Sequence, residues 1–507
     1  MTSPAEKLAT SLEALEAIQR QGRHAVRSKD LGRTDRERLV KNGFLRKVMK
    51  GWYIPTRPDE PNGESTAWYA SFWGFCSEYL TERFGSNWCL SPDQSLQLHA
   101  GNWTVPAQLL VRAKGGRNNP TGLLHGTSVL DVNQAVPGDD DRMQLQGLWL
   151  YQPEAALVAC SPNFFTNWPI EARTILATQR DPSAVLARLL AGNHTAIAGR
   201  LAGAFRNIGY DRIADDILST MRAASHTVRE TDPFEQRLAR LEFRREPSPY
   251  VHRIRLLWEK MRADIPGRFP APARRNDIDA YLHAVDDIFV TDAYHSLSIE
   301  GYRVSRELIE RVRSGEWNPE NNEADRAHHD ALAARGYFQA FGAVKESVRR
   351  VLSGENGGAV ADADHGTWYR ELFAPSVAAG LLNPADLAGY RNGPVYIRRS
   401  KYVPLNANAV RDAMPTFFEL LRDEADPAVR IVLGHFIFVY IHPYLDGNGR
   451  MGRFLMNVMM AAGGYSWTVI PVEDRDAYMT ALEAASVDQN IVPFAEFLAG
   501  HIGRPPQ

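Results

Sequence analysis

The chain has 507 residues, with 58 Lys and Arg against 60 Asp and Glu and a formal net charge of −2. That length holds roughly three domains with ample surface to bury, and the near balance of charge excludes a general affinity for nucleic acid, leaving only local basic surfaces for that role. Three cysteines without a closely spaced pair (Cys76, Cys89, Cys160) argue against a zinc site or a disulfide framework and point to a reducing cytoplasm.

The opening MTSPAEKLATSLEALEAIQRQ has no apolar signal-peptide core and reads as a polar helix. Further on, Thr34 followed by Glu37 fits a capping box, which predicts a helix ending near Asn42-Gly43. The run FLRKVMKGWYI then reads as two short strands turning at Lys50-Gly51. Helix, link, second helix and hairpin make the pattern of a winged helix-turn-helix. From Arg20 to Lys50 there are eleven Lys and Arg against three acids, a local excess of the kind duplex DNA requires. A lone charged helix is usually a solvated face, but here the bias coincides with the helix–hairpin pattern. Arg33, Arg36 and Lys41 are therefore expected at groove or phosphates, with Lys47 and Lys50 on the wing.

Between Asp59 and Thr231 strand-like runs, QLLVRA (Gln108–Ala113) and GLLHGTSVLDV (Gly122–Val132), are broken by KGGRNNPTG and VPGDDD. The pattern turns helical from Pro153, so an α+β module is expected, with no catalytic set; His99, His125 and Cys160 read as structural. The stretches RLVKNGFLRKVMKGWYIP, CLSPDQSLQLHAGNWTVPAQLLVRA and YQPEAALVAC resemble the AbiEi-type antitoxin and transcriptional-regulator family. The resemblance covers about the first 230 residues. It implies a winged-helix DNA reader followed by an α+β module, in a family associated with autoregulated toxin–antitoxin operons.

The rest is almost wholly helical in pattern, except YRNGPVYIRRSKYVPL (Tyr390–Leu405), whose alternation predicts a hairpin. The apolar run Ile431–Ile441 is too short to span a bilayer, and no membrane partner is expected. It leads into HPYLDGNGRMGR, a chemically dense stretch. Gly447, Asn448 and Gly449 allow backbone amides to converge at a helix N-terminus, an anion cradle. Arg450 and Arg453 lie three apart, on one helix face, and can clamp a polyphosphate. Asp446 can hold a hard cation such as Mg²⁺, and His442 is the group whose ordinary pKa suits proton abstraction. His435, alone on the apolar helix, reads as structural. The set suggests nucleotide chemistry in which a hydroxyl attacks phosphorus, without a Walker loop.

These residues resemble the Fic family motif, His-x-Phe-x-Asp/Glu-Gly-Asn-Gly-Arg-x-x-Arg, with Tyr444 in place of the usual Phe. The resemblance spans roughly Pro247–Ile502 and implies an all-helical core that transfers AMP from Mg·ATP to a Ser, Thr or Tyr hydroxyl of a protein. By that resemblance His442 is the general base and Asp446 the Mg²⁺ ligand. Gly447, Asn448 and Gly449 hold the α- and β-phosphates, Arg450 and Arg453 the β- and γ-phosphates, and Asn457 also touches the nucleotide. Gly449, intact where the Doc-like phosphorylating relatives carry Lys, favours AMP transfer. The 390–405 segment corresponds to the family's flap, which pairs with an extended target segment through contacts such as Val395 and Ile397. Upstream, SLSIEG places Ser296 and Glu300 on one helix face. It fits the family's inhibitory motif, which implies that Glu300 pairs with Arg453 and withholds it from the γ-phosphate.

The expected division is a winged helix at 1–58, an α+β module at 59–231, a linker with helices at 232–290 and an all-α Fic fold with a hairpin flap at 291–505. The expected function is a self-inhibited protein adenylyltransferase with a DNA-binding front end. Its alternatives are a deAMPylase using the same site, or a DNA-binding regulator whose Fic site is vestigial. ATP and Mg²⁺ are the expected cofactors, and a protein substrate and duplex DNA the expected partners; homo-oligomer formation is left open.

Overall fold

The first helix, Pro4–Gln19, starts where local chemistry puts it. Ser3 Oγ accepts the Glu6 N–H at 3.2 Å, and the Glu6 carboxylate accepts the Ser3 N–H at 2.6 Å, a reciprocal capping box. The computed structural model describes residues 3–60, 63–235, 248–272, 277–316 and 329–503. Parts of the expected 232–290 linker, residues 236–247 and 273–276, lie outside the described residues. The chain divides into two compact units: Met1–Arg253 with Tyr396–Val403, and Ile254–Val395 with Pro404–Gln507.

In the first unit, a second helix spans Arg33–Lys41 and three strands lie in the order Val26–Arg27, Trp52–Pro55, Leu45–Met49, all antiparallel. The last two turn at Lys50-Gly51, where Gly51 takes φ 85°. Leu15, Ile18, Val26, Leu31, Leu39 and Leu45 make a small core of their own. The expected cap at Thr34 does not form. Gly32 is the N-cap without a side-chain bond, and Glu37 turns instead to Arg33 at 2.8 Å, one helical turn away. The helix does end at Asn42-Gly43, with Gly43 at φ 77° and the Phe44 N–H closing on Leu39 O at 2.9 Å.

Beyond this lies the helix Thr66–Phe84, which buries Trp68, Phe72 and Phe75. A four-stranded sheet follows, in the order Trp88–Leu90, Gln108–Ala113, Ser128–Asn133, Pro120–Gly122, whose two middle strands run parallel. The run expected as one strand from Gly122 to Val132 is interrupted. A 3₁₀ turn occupies Leu124–Gly126 with His125 at φ 50°, and pairing resumes at Ser128. Helices then predominate from Pro153–Ala159 to Asp211–Ala223. His99 Nε2 bonds the Tyr151 carbonyl at 2.8 Å, and the three cysteines are buried and free.

The second unit is helical among its described residues. Its core helix, Pro427–Ile441, begins with Asp426 accepting from the Ala428 and Val429 amides at 2.8 and 3.2 Å. Nearly every later position is buried, so the helix is covered on all sides. Against it pack the helices Ala407–Asp423, Asn448–Ala462, Arg475–Val487 and Val492–Ala499; His329–Leu352 and Gly357–Ala378 pack in turn on Asn448–Ala462, with Ile278–Ile299 supplying the upstream face. No helix among the described residues is long and apolar enough to cross a membrane.

Candidate active site

The site is built where the core helix stops. His442 is its C-cap, in the left-handed region at φ 54°, a conformation few side-chain-bearing residues adopt. Its Nδ1 donates to the Val439 carbonyl at 3.0 Å. Because a carbonyl only accepts, this fixes the neutral tautomer and leaves Nε2 with a lone pair. Burial, with Arg391 nearby, pulls the imidazole pKa down to about 4.

Arg391 is a residue that sequence reading missed. Almost fully buried, it donates from Nε to the His442 carbonyl at 2.7 Å, from Nη1 to Gly393 O at 2.9 Å and from Nη2 to Leu405 O. One guanidinium thus joins the histidine turn to both roots of the 390–405 segment. Nothing local marks it, since its partners lie up to 51 residues away.

Loop and cradle follow. Tyr444 lies flat on Tyr369, with ring centroids 3.8 Å apart and planes 6° from parallel, so the phenol ring fills the place expected of Phe. Asn448 closes the loop with both amide atoms: Oδ1 accepts the Tyr444 N–H at 2.9 Å and Nδ2 donates to Tyr444 O at 2.8 Å. Gly447 takes φ 79°, and a Cβ there would lie 2.8 Å from the Phe373 ring. The helix Asn448–Ala462 then begins, its first intrahelical bond running from the Met451 N–H to Gly447 O at 2.9 Å. The amides of Asn448, Gly449 and Arg450 precede that bond, so a helix dipole and its free donors face the site.

Arg453 is buried in this first stretch of helix. Its Nε donates to Ser296 Oγ at 2.9 Å, and its Nη2 to Ser296 O at 3.0 Å and to Glu300 Oε1 at 2.7 Å. Nη1 has no hydrogen-bond partner among the described residues. Burial pushes the Glu300 carboxyl pKa up, but the charges of Arg453 and Arg450 more than reverse this and hold it below the usual carboxylate range. A Cβ on Gly449 would sit 2.3 Å from Glu300 Oε1, so this carboxylate lies directly over the cradle. Asp446 is exposed at the rim, its oxygens on the Gly447 N–H at 2.6 Å and on Arg450 at 3.3 Å.

His442, Asp446, the 447–449 turn, Arg450, Arg453, Ser296 and Glu300 are therefore brought together. Asn457 is not. It lies nine residues past Asn448, about 13 Å along the helix. Its amide is occupied by the backbone of Thr468 at 2.8 and 3.1 Å. His435 bonds Tyr478 at 2.7 Å inside the core.

The expected hairpin at 390–405 is absent. Exposure alternates from Asn392 to Arg398, as in extended chain, with Val395 and Ile397 on the half-buried side. Its backbone groups bond elsewhere: Arg391 N–H to Pro443 O at 3.0 Å, Arg399 N–H to Thr66 Oγ1 at 3.0 Å, and Lys401 O with the Val105 N–H at 2.9 Å.

In the N-terminal region the basic excess is partly neutralised by acids outside the 20–50 window. Glu16 pairs with Arg20, Glu60 with Arg46, Glu78 with Arg23, and Glu82 with both Arg27 and Lys29. Arg33 pairs with Glu37, and Arg36 donates to Ser28 O at 2.7 Å; Lys41, Lys47 and Lys50 are exposed.

Comparison with known proteins bears on the C-terminal part. The Fic/DOC family pattern matches residues 366–460. Protein adenylyltransferase fic-1 of Caenorhabditis elegans is 31% identical over 126 residues, 24% of this chain and 24% of that protein. Protein adenylyltransferase Fic of Drosophila willistoni is 32% identical over 124 residues, with 24% of each chain covered. The chain thus spans about a quarter of the length of these curated relatives. Among solved structures, Fic-1 of C. elegans gives a TM-score of 0.36 at 18% identity over 69% of this chain and 88% of that one. A Fic domain containing signaling protein from Bacteroides thetaiotaomicron gives 0.34 at 14% identity over 50% and 92%. The matched segment carries the histidine turn, the cradle and both arginines in order, and the C-terminal region of this chain is a domain of the Fic/DOC family.

Proposed function

We propose that the second unit transfers AMP from Mg·ATP to a Ser, Thr or Tyr hydroxyl of a protein, and that the arrangement described here is its restrained state. The carrying observation is the Glu300 carboxylate, 2.7 Å from Arg453 and over Gly449. It stands where a phosphate of the nucleotide would bind, so the protein supplies its own competing anion.

Without Glu300 in the way, the first-turn amides and the Arg450 and Arg453 guanidinium groups hold the phosphates by charge-assisted hydrogen bonds. The unpartnered Arg453 Nη1 and Arg450 Nε are the buried donors such a ligand would satisfy. The exposed Asp446 fits Mg²⁺, which binds through one or two carboxylates plus phosphate oxygens; bound there, the ion would neutralise phosphate charge. His442 Nε2 takes the target hydroxyl's proton as that oxygen bonds the α-phosphorus and the bond to pyrophosphate breaks. Val439 holds the ring for this, and Arg391 holds the turn that carries it.

The test is transfer of label from ATP carrying it at the α-phosphate, using Glu300→Gly and Glu300→Gly/His442→Ala. The single variant should label itself or a target. The double variant should lose about 10²–10⁴-fold in rate while still binding nucleotide. Equal labelling by both would overturn the assignment, and release of AMP from a modified protein would assign the reverse reaction instead. For the first unit we propose duplex DNA contact through the exposed Lys41, Lys47 and Lys50, with Arg33 and Arg36 beside them, in a winged-helix arrangement resembling the AbiEi-type regulators.

A further inference from the structure

Two residues past Glu300, a ring lies against the other arginine. The Arg450 guanidinium carbon is 5.1 Å from the Tyr302 ring centroid and 5.1 Å from that of Phe373, between two aromatic faces. Its side chain is 2% exposed, the Asp446 carboxylate is 3.3 Å away, and Nε has no hydrogen-bond partner among the described residues. The Tyr302 side chain also accepts a hydrogen bond from this guanidinium, so besides Asp446 the turn itself supplies an acceptor that an incoming anion must replace.

The two rings differ in how they are held. Phe373 belongs to the helix Gly357–Ala378 and is buried, its ring 5.0 Å from that of Tyr369. Tyr302 lies on the turn after the helix Ile278–Ile299 and is only half-buried, with its ring stacked on His329 at 5.2 Å and 18°. Between Glu300 and Tyr302 stands Gly301 at φ 95°, where a side chain would be strained. The Glu300 and Tyr302 amides both donate to Leu297 O, at 3.1 Å each, so the turn is one rigid piece.

We infer that Tyr302 is a second restraining residue, capping Arg450 while Glu300 holds Arg453, so that one turn occupies both phosphate-binding arginines together. This rests on the proposed nucleotide reading of the site. A β-phosphate must displace the Tyr302 ring to reach Arg450, and removing Glu300 alone leaves that cover in place. Release of the restraint is then movement of the whole 300–302 turn rather than rotation of one side chain.

The test is equilibrium binding of Mg·ADP to the full chain by calorimetry. Tyr302→Ala should tighten binding about three- to tenfold, as expected for loss of one desolvated cation–π contact. Tyr302→Phe, which keeps the ring but gives up the hydroxyl's hydrogen bond to Arg450, should fall between the parent and Tyr302→Ala. Tyr302→Leu, which keeps volume without a π face, should follow Tyr302→Ala. In the Glu300→Gly background, Tyr302→Ala should tighten binding further, and in an Arg450→Ala background it should have no effect. If Glu300→Gly binds Mg·ADP and Tyr302→Ala binds no better than the parent, this inference alone falls. If no variant binds Mg·ADP, Glu300→Gly included, the adenylyl-transfer reading falls and takes this one with it.

Discussion

Replacing Glu300 by Gln and by Gly separates two ways in which one carboxyl group can block the site. Glu300 is joined to Arg453 at 2.7 Å, with side-chain exposures of 31% and 5%. A hydrogen bond with a charged partner contributes about 1.5–3 kcal/mol and a neutral one about 1, and partial exposure of Glu300 places this pair near the lower end. Gln keeps the shape and gives up the charge, so it should weaken the restraint by about 1 kcal/mol, roughly fivefold. Gly gives up both. The loss of about 1.5–2 kcal/mol should raise nucleotide affinity about 10- to 30-fold. Volume enters because the carboxyl oxygen lies 2.3 Å from where a Gly449 Cβ would be, and an amide fills that same space. The assay is KM for Mg·ATP and kcat for α-label transfer across the parent and the two variants. A graded rise from Glu to Gln to Gly supports restraint by charge. Gln equal to the parent with Gly raised would show that volume alone blocks the cradle, and no change in either would refute the restraint altogether.

Three further outcomes are expected. Because burial holds the His442 pKa near 4, the base stays neutral well below the ordinary histidine range. Transfer by Glu300→Gly should therefore show no acid limb between pH 7.5 and 5.5 (roughly two units of range), and an inflection at the ordinary histidine value would count against His442 as the base. Arg391→Ala strands three backbone carbonyls and should lower thermal stability by about 2–4 kcal/mol, with a fall in kcat beyond any change in KM for ATP; calorimetry and the same labelling assay check both. Lys41→Glu/Lys47→Glu should abolish a low-salt gel shift on duplex DNA while leaving labelling untouched, and a shift insensitive to salt and to both reversals would refute DNA contact.

What the sequence discloses about the site is what lies close along the chain. His442 to Arg453 is one continuous stretch, and Ser296 and Glu300 are one helical turn apart, so spacing alone places each set on a common face. Arg391 and Tyr302 are invisible to such reasoning because both sit outside helices and meet the His442 turn and Arg450 only once the chain has folded. Asn448 stays in the cradle through its backbone amide, whereas Asn457 lies away from it; neither side chain faces the site. Both side chains close backbone gaps, at Tyr444 and Thr468, a demand that appears only once the chain has turned there. At the other end, strands at Leu45–Met49 and Trp52–Pro55 follow from alternation about Lys50-Gly51. The capping pair at Thr34 and Glu37 gave way to an i,i+4 Arg33–Glu37 bond, since the helix starts at Arg33 with Gly32 as N-cap and Thr34 already lies inside it. The basic count failed as a measure of free charge because Glu78 and Glu82, remote in sequence, neutralise part of it.

The eight residues Tyr396–Val403 are counted with the first unit, although the chain on both sides of them belongs to the second. Arg398 and Arg399 bond the buried Glu64 at 3.3 and 3.2 Å, the Arg399 amide reaches Thr66, and Lys401 bonds Val105. A fragment cut at residue 254 would carry two arginines and a lysine whose partners had been left behind, and would leave a buried carboxylate uncompensated in the other piece. The first unit is thus completed only by residues that the chain supplies after position 395.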